Sequence, residues 1–128
     1  MTSRPPLSKA ETEVARVLWD LGEATVRQLH DAMPRGRKIN FTTVQTYLQR
    51  LETKGYARAR LEGRTRVYTA RVKPETVIRE TVSDLVDRLF GGESLPLVQH
   101  LIEEGGMGEA EIAQLRQLLD RLEEQGHD

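Results

Sequence analysis

Thr42, Gln45, Thr46 and Gln49 recur at i, i+3, i+4 and i+7, the spacing that lines up one face of a helix. A glutamine carboxamide presents a donor and an acceptor side by side and can pair bidentately with the edge of a planar heterocycle. A threonine hydroxyl serves as donor or acceptor, and its methyl makes an apolar contact. The stripe is uncharged, whereas solvated helix faces more often carry Glu and Lys. Between Met33 and Lys73 it is surrounded by eleven Lys and Arg residues, among them Arg50, Lys54, Arg64 and Arg66, opposed only by Glu52 and Glu62. Guanidinium and ammonium groups at this density suit a phosphate polyanion. Such chemistry recognises rather than reacts. There is no cysteine, His30, His100 and His127 are scattered, and no glycine loop or paired histidine motif is present. Glu103-Glu104 and Glu123-Glu124 read as solvated charge at helix ends. No catalytic residue, metal ligand or cofactor is expected, and the chain is not expected to be an enzyme.

The elements that must position these residues follow from hydrophobic period. Ser8 with Glu11 forms a capping box ahead of Ala10, Val14, Val17, Leu18 and Leu21, so Lys9 to about Leu21 reads as a helix stopped by Gly22. Trp19 lies off the centre of that stripe and is expected to be partly buried. Thr25 with Gln28 repeats the box before Val26, Leu29 and Met33, and Pro34 and Gly36 end that helix at the basic turn Arg35-Gly36-Arg37-Lys38. Asn40 is expected to cap a third helix over residues 41–54, closed by Gly55, with Val44, Leu48 and Leu51 inward and Tyr47 beside them. The period then drops to two. Tyr56 to Leu61 and Thr65 to Ala70 read as strands around Glu62-Gly63-Arg64, giving a basic hairpin within residues 58–71. Three short helices followed by a hairpin is the order of a winged helix-turn-helix, with the third helix in the major groove and the wing arginines on the backbone or minor groove.

Net charge is −1, but it is unevenly divided. Residues 1–73 hold 15 Lys and Arg against 7 Asp and Glu, and residues 74–128 hold 4 against 13. The basic part can meet a polyanion and the acidic part cannot. Lys73-Pro74 is the expected boundary, giving a DNA-binding domain over 1–73 and a helical domain over 74–128. No apolar run is long enough to span a bilayer, and Met1 to Leu7 lacks the apolar stretch of a signal peptide and reads as a short flexible tail. A cytoplasmic protein with no membrane partner is expected, and the absence of cysteine suits a reducing compartment.

Three apolar helical stripes follow Pro74: Val77 to Leu89, Leu95 to Ile102 and Ile112 to Leu122. Fifty-five residues in short helices bury little apolar area alone. Pairing with a second copy would cover Val82, Leu85, Leu89, Leu97, Val98, Leu101, Ile102, Leu115, Leu118, Leu119 and Leu122, so a homodimer is expected. The fold class is therefore mainly α with a small β-hairpin: a winged helix-turn-helix followed by a three-helix dimerisation segment. The alternative is a winged-helix protein-interaction module without sequence-specific DNA binding, which would show little salt dependence.

The run Thr43-Val44-Gln45-Thr46-Tyr47-Leu48-Gln49-Arg50-Leu51, with Lys54-Gly55-Tyr56 and the hairpin end Val67-Tyr68-Thr69-Ala70, resembles the penicillinase-repressor (BlaI/MecI) family. The opening Leu7-Ser8-Lys9-Ala10-Glu11, Val14, Trp19 and the later Phe90-Gly91-Gly92 extend the similarity over roughly Leu7 to Leu122. The resemblance implies a transcriptional repressor that binds a palindromic promoter operator as a homodimer. It places Thr42, Thr43, Gln45 and Thr46 on bases and Arg50 with the wing arginines on phosphates. Family members can carry arginine where Gln45 stands, implying a different operator preference. In antibiotic-responsive members a protease cuts an Asn-Phe bond; His100-Leu101 stands at that place, so a protease of the same specificity is not expected to act, and any inactivating protease is unknown. Copper-responsive members use a cysteine cluster that this chain lacks.

Overall fold

The computed structural model describes residues 4–34 and 39–126. The expected basic turn at 35–38 lies outside the described residues. Two compact units divide the chain, Met1–Thr81 and Val82–Asp128.

In the first unit, α1 (Lys9–Leu21), α2 (Val26–Ala32) and α3 (Phe41–Lys54) pack around one core. Both capping boxes form. The Glu11 amide donates to Ser8 Oγ at 3.1 Å while Glu11 Oε1 accepts from the Ser8 amide at 2.8 Å. Thr25 and Gln28 exchange the equivalent bonds at 3.1 and 2.9 Å. Each box satisfies amides that a helix start leaves without partners. Asn40 does occupy the N-cap of α3, but its side chain makes no capping bond; only its carbonyl joins the helix, accepting from the Val44 amide at 3.0 Å. Gly55 closes α3 in the left-handed conformation, φ 91°, where a side chain would be strained. Val14, Leu18, Leu29, Val44, Leu48, Leu51 and Tyr68 are fully buried. Trp19 is partly buried as expected, and its indole N–H also donates to the Val72 carbonyl at 2.9 Å.

The hairpin is part of a larger sheet than expected. Three antiparallel strands, β1 (Glu23–Thr25), β2 (Ala57–Glu62) and β3 (Thr65–Ala70), are ordered β1-β3-β2. β1 was absent from the hydrophobic pattern because three residues between a helix stop and a capping box carry no readable period. It exists because Glu23, Ala24 and Thr25 pair with Thr69, Tyr68 and Val67 of β3. The β2–β3 register runs from Ala57↔Ala70 to Glu62↔Thr65, leaving Gly63-Arg64 as a two-residue loop. Gly63 takes φ 65°, the glycine-first arrangement of a type II′ hairpin.

The N-terminal tail is not free where it is described. Arg4 donates to the Glu80 carboxylate at 3.1 and 3.3 Å and lies 5.9 Å from the centre of the Tyr56 ring. The Tyr56 hydroxyl donates to the Pro5 carbonyl at 2.7 Å, and Leu7 packs on the core. The expectation of a flexible tail fails here because Pro5 and Pro6, which carry no amide donor of their own, still offer carbonyls to side chains across the chain.

α4 (Pro74–Leu89) begins at Pro74, which suits a first helical turn. The two units divide within α4, about two turns beyond the expected 73/74 boundary. The second unit continues with α5 (Ser94–Glu104) and α6 (Glu109–Gln125). Its apolar side chains are poorly covered. Val86 is buried, whereas α5 and α6 have no buried residue.

Candidate nucleic-acid interface

Helix α3 has two faces because its apolar residues are claimed by the core. With Val44, Leu48 and Leu51 at zero exposure, the opposite side must face outward. Thr42, Gln45, Gln49 and Arg50 are exposed, and Thr43 and Thr46 are half-buried on its flanks. Thr46 Oγ1 donates to the Thr42 carbonyl at 3.1 Å, so its hydroxyl proton is committed to its own helix. The Arg50 guanidinium lies 5.6 Å from the centre of the Tyr47 ring, a cation–π placement that orders the side chain while leaving it charged.

The arginines of the hairpin do different things. Arg60 is held by Glu23 at 2.9 Å and Glu62 at 2.8 Å, fastening β2 to β1 across β3. Arg60, first through its hydrogen bond and then through its charge, holds the Glu23 carboxyl below its ordinary pKa. Arg66 reaches Glu52 of α3 at 3.6 Å, a loose exposed pair linking wing to helix. Arg64 in the loop and Arg58 on β2 are exposed with no protein partner among the described residues. Arg64 at the tip is therefore the wing cation most available to an external phosphate.

Lys54 is placed differently from the other candidate contacts. Its ammonium lies 2.6 Å from Glu11 Oε1 and donates to the Pro6 carbonyl at 2.9 Å, with only a quarter of its side chain exposed. Glu11 is buried. Burial pushes its carboxyl upward, but the hydrogen bond and charge of Lys54 together with the Ser8 bonds outweigh this and bring it below the ordinary value. Lys54 thus ties the end of α3 to the start of α1.

Two residues beside the polar face were not singled out by their sequence pattern. His30, counted only among scattered histidines, donates from Nε2 to the Ile39 carbonyl at 2.8 Å, and its ring meets Phe41 edge-on at 6.1 Å between centres. Phe41, the first residue of α3, remains 43% exposed. An aromatic at a helix start ordinarily reads as core, and only the three-dimensional packing shows that it is not.

Of the candidate dimer contacts, Val82, Leu85 and Leu89 lie on α4, Leu97, Val98, Leu101 and Ile102 on α5, and Leu115, Leu118, Leu119 and Leu122 on α6. All are exposed except Leu97 and Leu115, which are intermediate. Among the described residues no helix is long and apolar enough to cross a membrane.

Comparison with known proteins places this geometry. The family model described as penicillinase repressor matches residues 7–121. The transcriptional regulator BlaI of Mycobacterium tuberculosis is 33% identical over 119 residues, covering 91% of this chain and 85% of its own. The penicillinase repressor of Bacillus licheniformis is 28% identical over 120 residues, covering 94% of each. Among solved structures, that of the DNA-binding domain of the repressor BlaI superposes with a TM-score of 0.51 at 31% identity, covering 58% of this chain and 90% of that one.

Proposed function

The chain belongs to the penicillinase repressor family of DNA-binding transcriptional repressors, and from that premise we propose how this member binds its operator. Two copies pair through the apolar faces of α4, α5 and α6, and each lays α3 in the major groove of one half of a palindromic site. Thr42, Gln45 and Gln49 meet base edges, flanked by Thr43 and Thr46. Arg50, Arg64 and Arg66 grip phosphates. Lys54, held by Glu11, acts on the fold rather than on DNA. The protein works by occupying the promoter and not by catalysis, in the cytoplasm, where the promoter is.

One observation carries this reading: α3 buries Val44, Leu48 and Leu51 completely while presenting an uncharged, hydrogen-bonding side beside exposed arginines. A solvated helix has no need of such a face, and a groove does. The dimer rests on a second observation. Leu89 is 71% exposed, Leu101 48% and Leu122 62%, which is more apolar surface than a small monomer ordinarily leaves open.

The test is binding to a duplex from the gene's own upstream region against random duplex, across a series of salt concentrations. Preference for the upstream duplex with a steep log–log loss of affinity is the expected result. Equal, salt-insensitive binding to both duplexes, or none, overturns it.

A further inference from the structure

We propose that Phe41 is a specificity-determining residue that reads the 5-methyl group of a thymine, with His30 as the residue that positions it. The inference rests on the DNA-binding reading above and adds to it a base contact that the polar stripe does not supply.

Phe41 opens α3, and in a helix entering the major groove the N-terminal residues are those that reach base edges. It stands four residues before Gln45 and three before Val44, at the border between the polar side of the helix and its buried side. The other large apolar residues of α3, Val44, Leu48 and Leu51, are fully buried, whereas Phe41 is exposed beside Thr42. Its orientation is not left to chance. His30 on α2 meets the ring edge-on and anchors itself to the Ile39 carbonyl, two residues before the ring it touches. An imidazole that can donate from Nε2 holds both the chain entering α3 and the aromatic side chain. A rigid apolar surface at that position has one chemically matched feature in the groove, the thymine methyl, the only apolar group that base edges display there.

The experiment uses the full chain and a duplex selected by the wild-type protein from a randomised pool. Thymines in that duplex are replaced one at a time by deoxyuridine, which lacks the methyl but keeps the O4 acceptor. At one position per half-site, wild-type affinity is expected to fall about fourfold, as burial of one methyl-sized group implies. Phe41→Ala is expected to bind thymine and uridine duplexes alike at that position, and Phe41→Leu to retain part of the difference. His30→Ala is expected to blunt the same discrimination, with His30→Gln, which keeps a donor, restoring part of it. If every uridine position affects wild type and both Phe41 variants equally while Gln45→Ala still shifts operator preference, Phe41 reads no methyl and the inference fails alone. If the wild type selects no duplex, it falls together with the DNA-binding reading.

Discussion

Lys54 and Gln45 sit nine residues apart on one helix and illustrate how little residue type says about role. Both are polar and both were candidate DNA contacts, yet Gln45 is exposed and Lys54 is bound to a buried carboxylate. Replacing Gln45 by alanine is expected to relax or shift operator preference by about 1–3 kcal/mol if the carboxamide makes a bidentate contact. Competition between operator variants measures it, and unchanged discrimination removes Gln45 from the base-reading set. Lys54→Met should behave in the opposite way. It leaves Glu11 buried without its cation, so urea denaturation at neutral pH is expected to show a loss of about 1–3 kcal/mol. Operator affinity of the folded variant should stay the same. The pair also sets an acid response. The Glu11 carboxyl is lowered in the folded state from its ordinary 4.5, so its contribution is complete above that value and disappears as pH falls below it, through the depressed folded value. Glu11→Gln should therefore flatten the stability–pH curve in that acid window.

At the scale of elements, the wing shows how a sheet sorts its cations. β3 is the central strand and carries pairings on both sides, and Arg60 reaches across it to Glu23. That leaves the Gly63-Arg64 loop free of the ion pairs that hold the base of the hairpin. Arg64→Ala is expected to weaken binding to all duplexes about equally and to reduce the slope of log affinity against log salt by about one. Arg60→Ala should act on stability instead. A slope unchanged by Arg64→Ala would mean that the wing tip does not touch phosphate. The helices were largely legible from sequence because their caps are local: Ser8 with Glu11 and Thr25 with Gln28 close their bonds within four residues. β1 was not, because its reason for being extended lies on β3, more than forty residues away. Nor was the anchoring of Arg4, whose partners Tyr56 and Glu80 are remote in the chain.

For the whole molecule, the two units contrast in how they dispose of apolar surface. The first closes a core around Val14, Leu29, Leu48 and Tyr68, and the second leaves whole helix faces open. Domains of this size rarely tolerate such exposure unless something covers it. Leu101→Asp, placing a charge on the open face of α5, is expected to shift the protein from dimer to monomer in sedimentation. Operator affinity should weaken as the two half-sites uncouple. An intact dimer in that variant would exclude the α5 face from the interface. Charge is divided as well, basic before Pro74 and acidic after it, so only the earlier part of the chain has the sign that suits a polyanion.

The amino-acid order alone determined the bounds of α1 and α3, the presence of the hairpin and the polar stripe of α3, since these depend on period, caps and turn residues close together in the chain. It also carried the family resemblance and the charge division. Only the tertiary structure decided which side chains have partners within the fold and which face outward. Lys54 is occupied by Glu11, Arg60 by Glu23 and Glu62, while Arg64 and Phe41 are left facing outward. The physical reason is that availability depends on partners brought together by folding, and no local pattern along the chain records which distant carboxylate or carbonyl a side chain will meet.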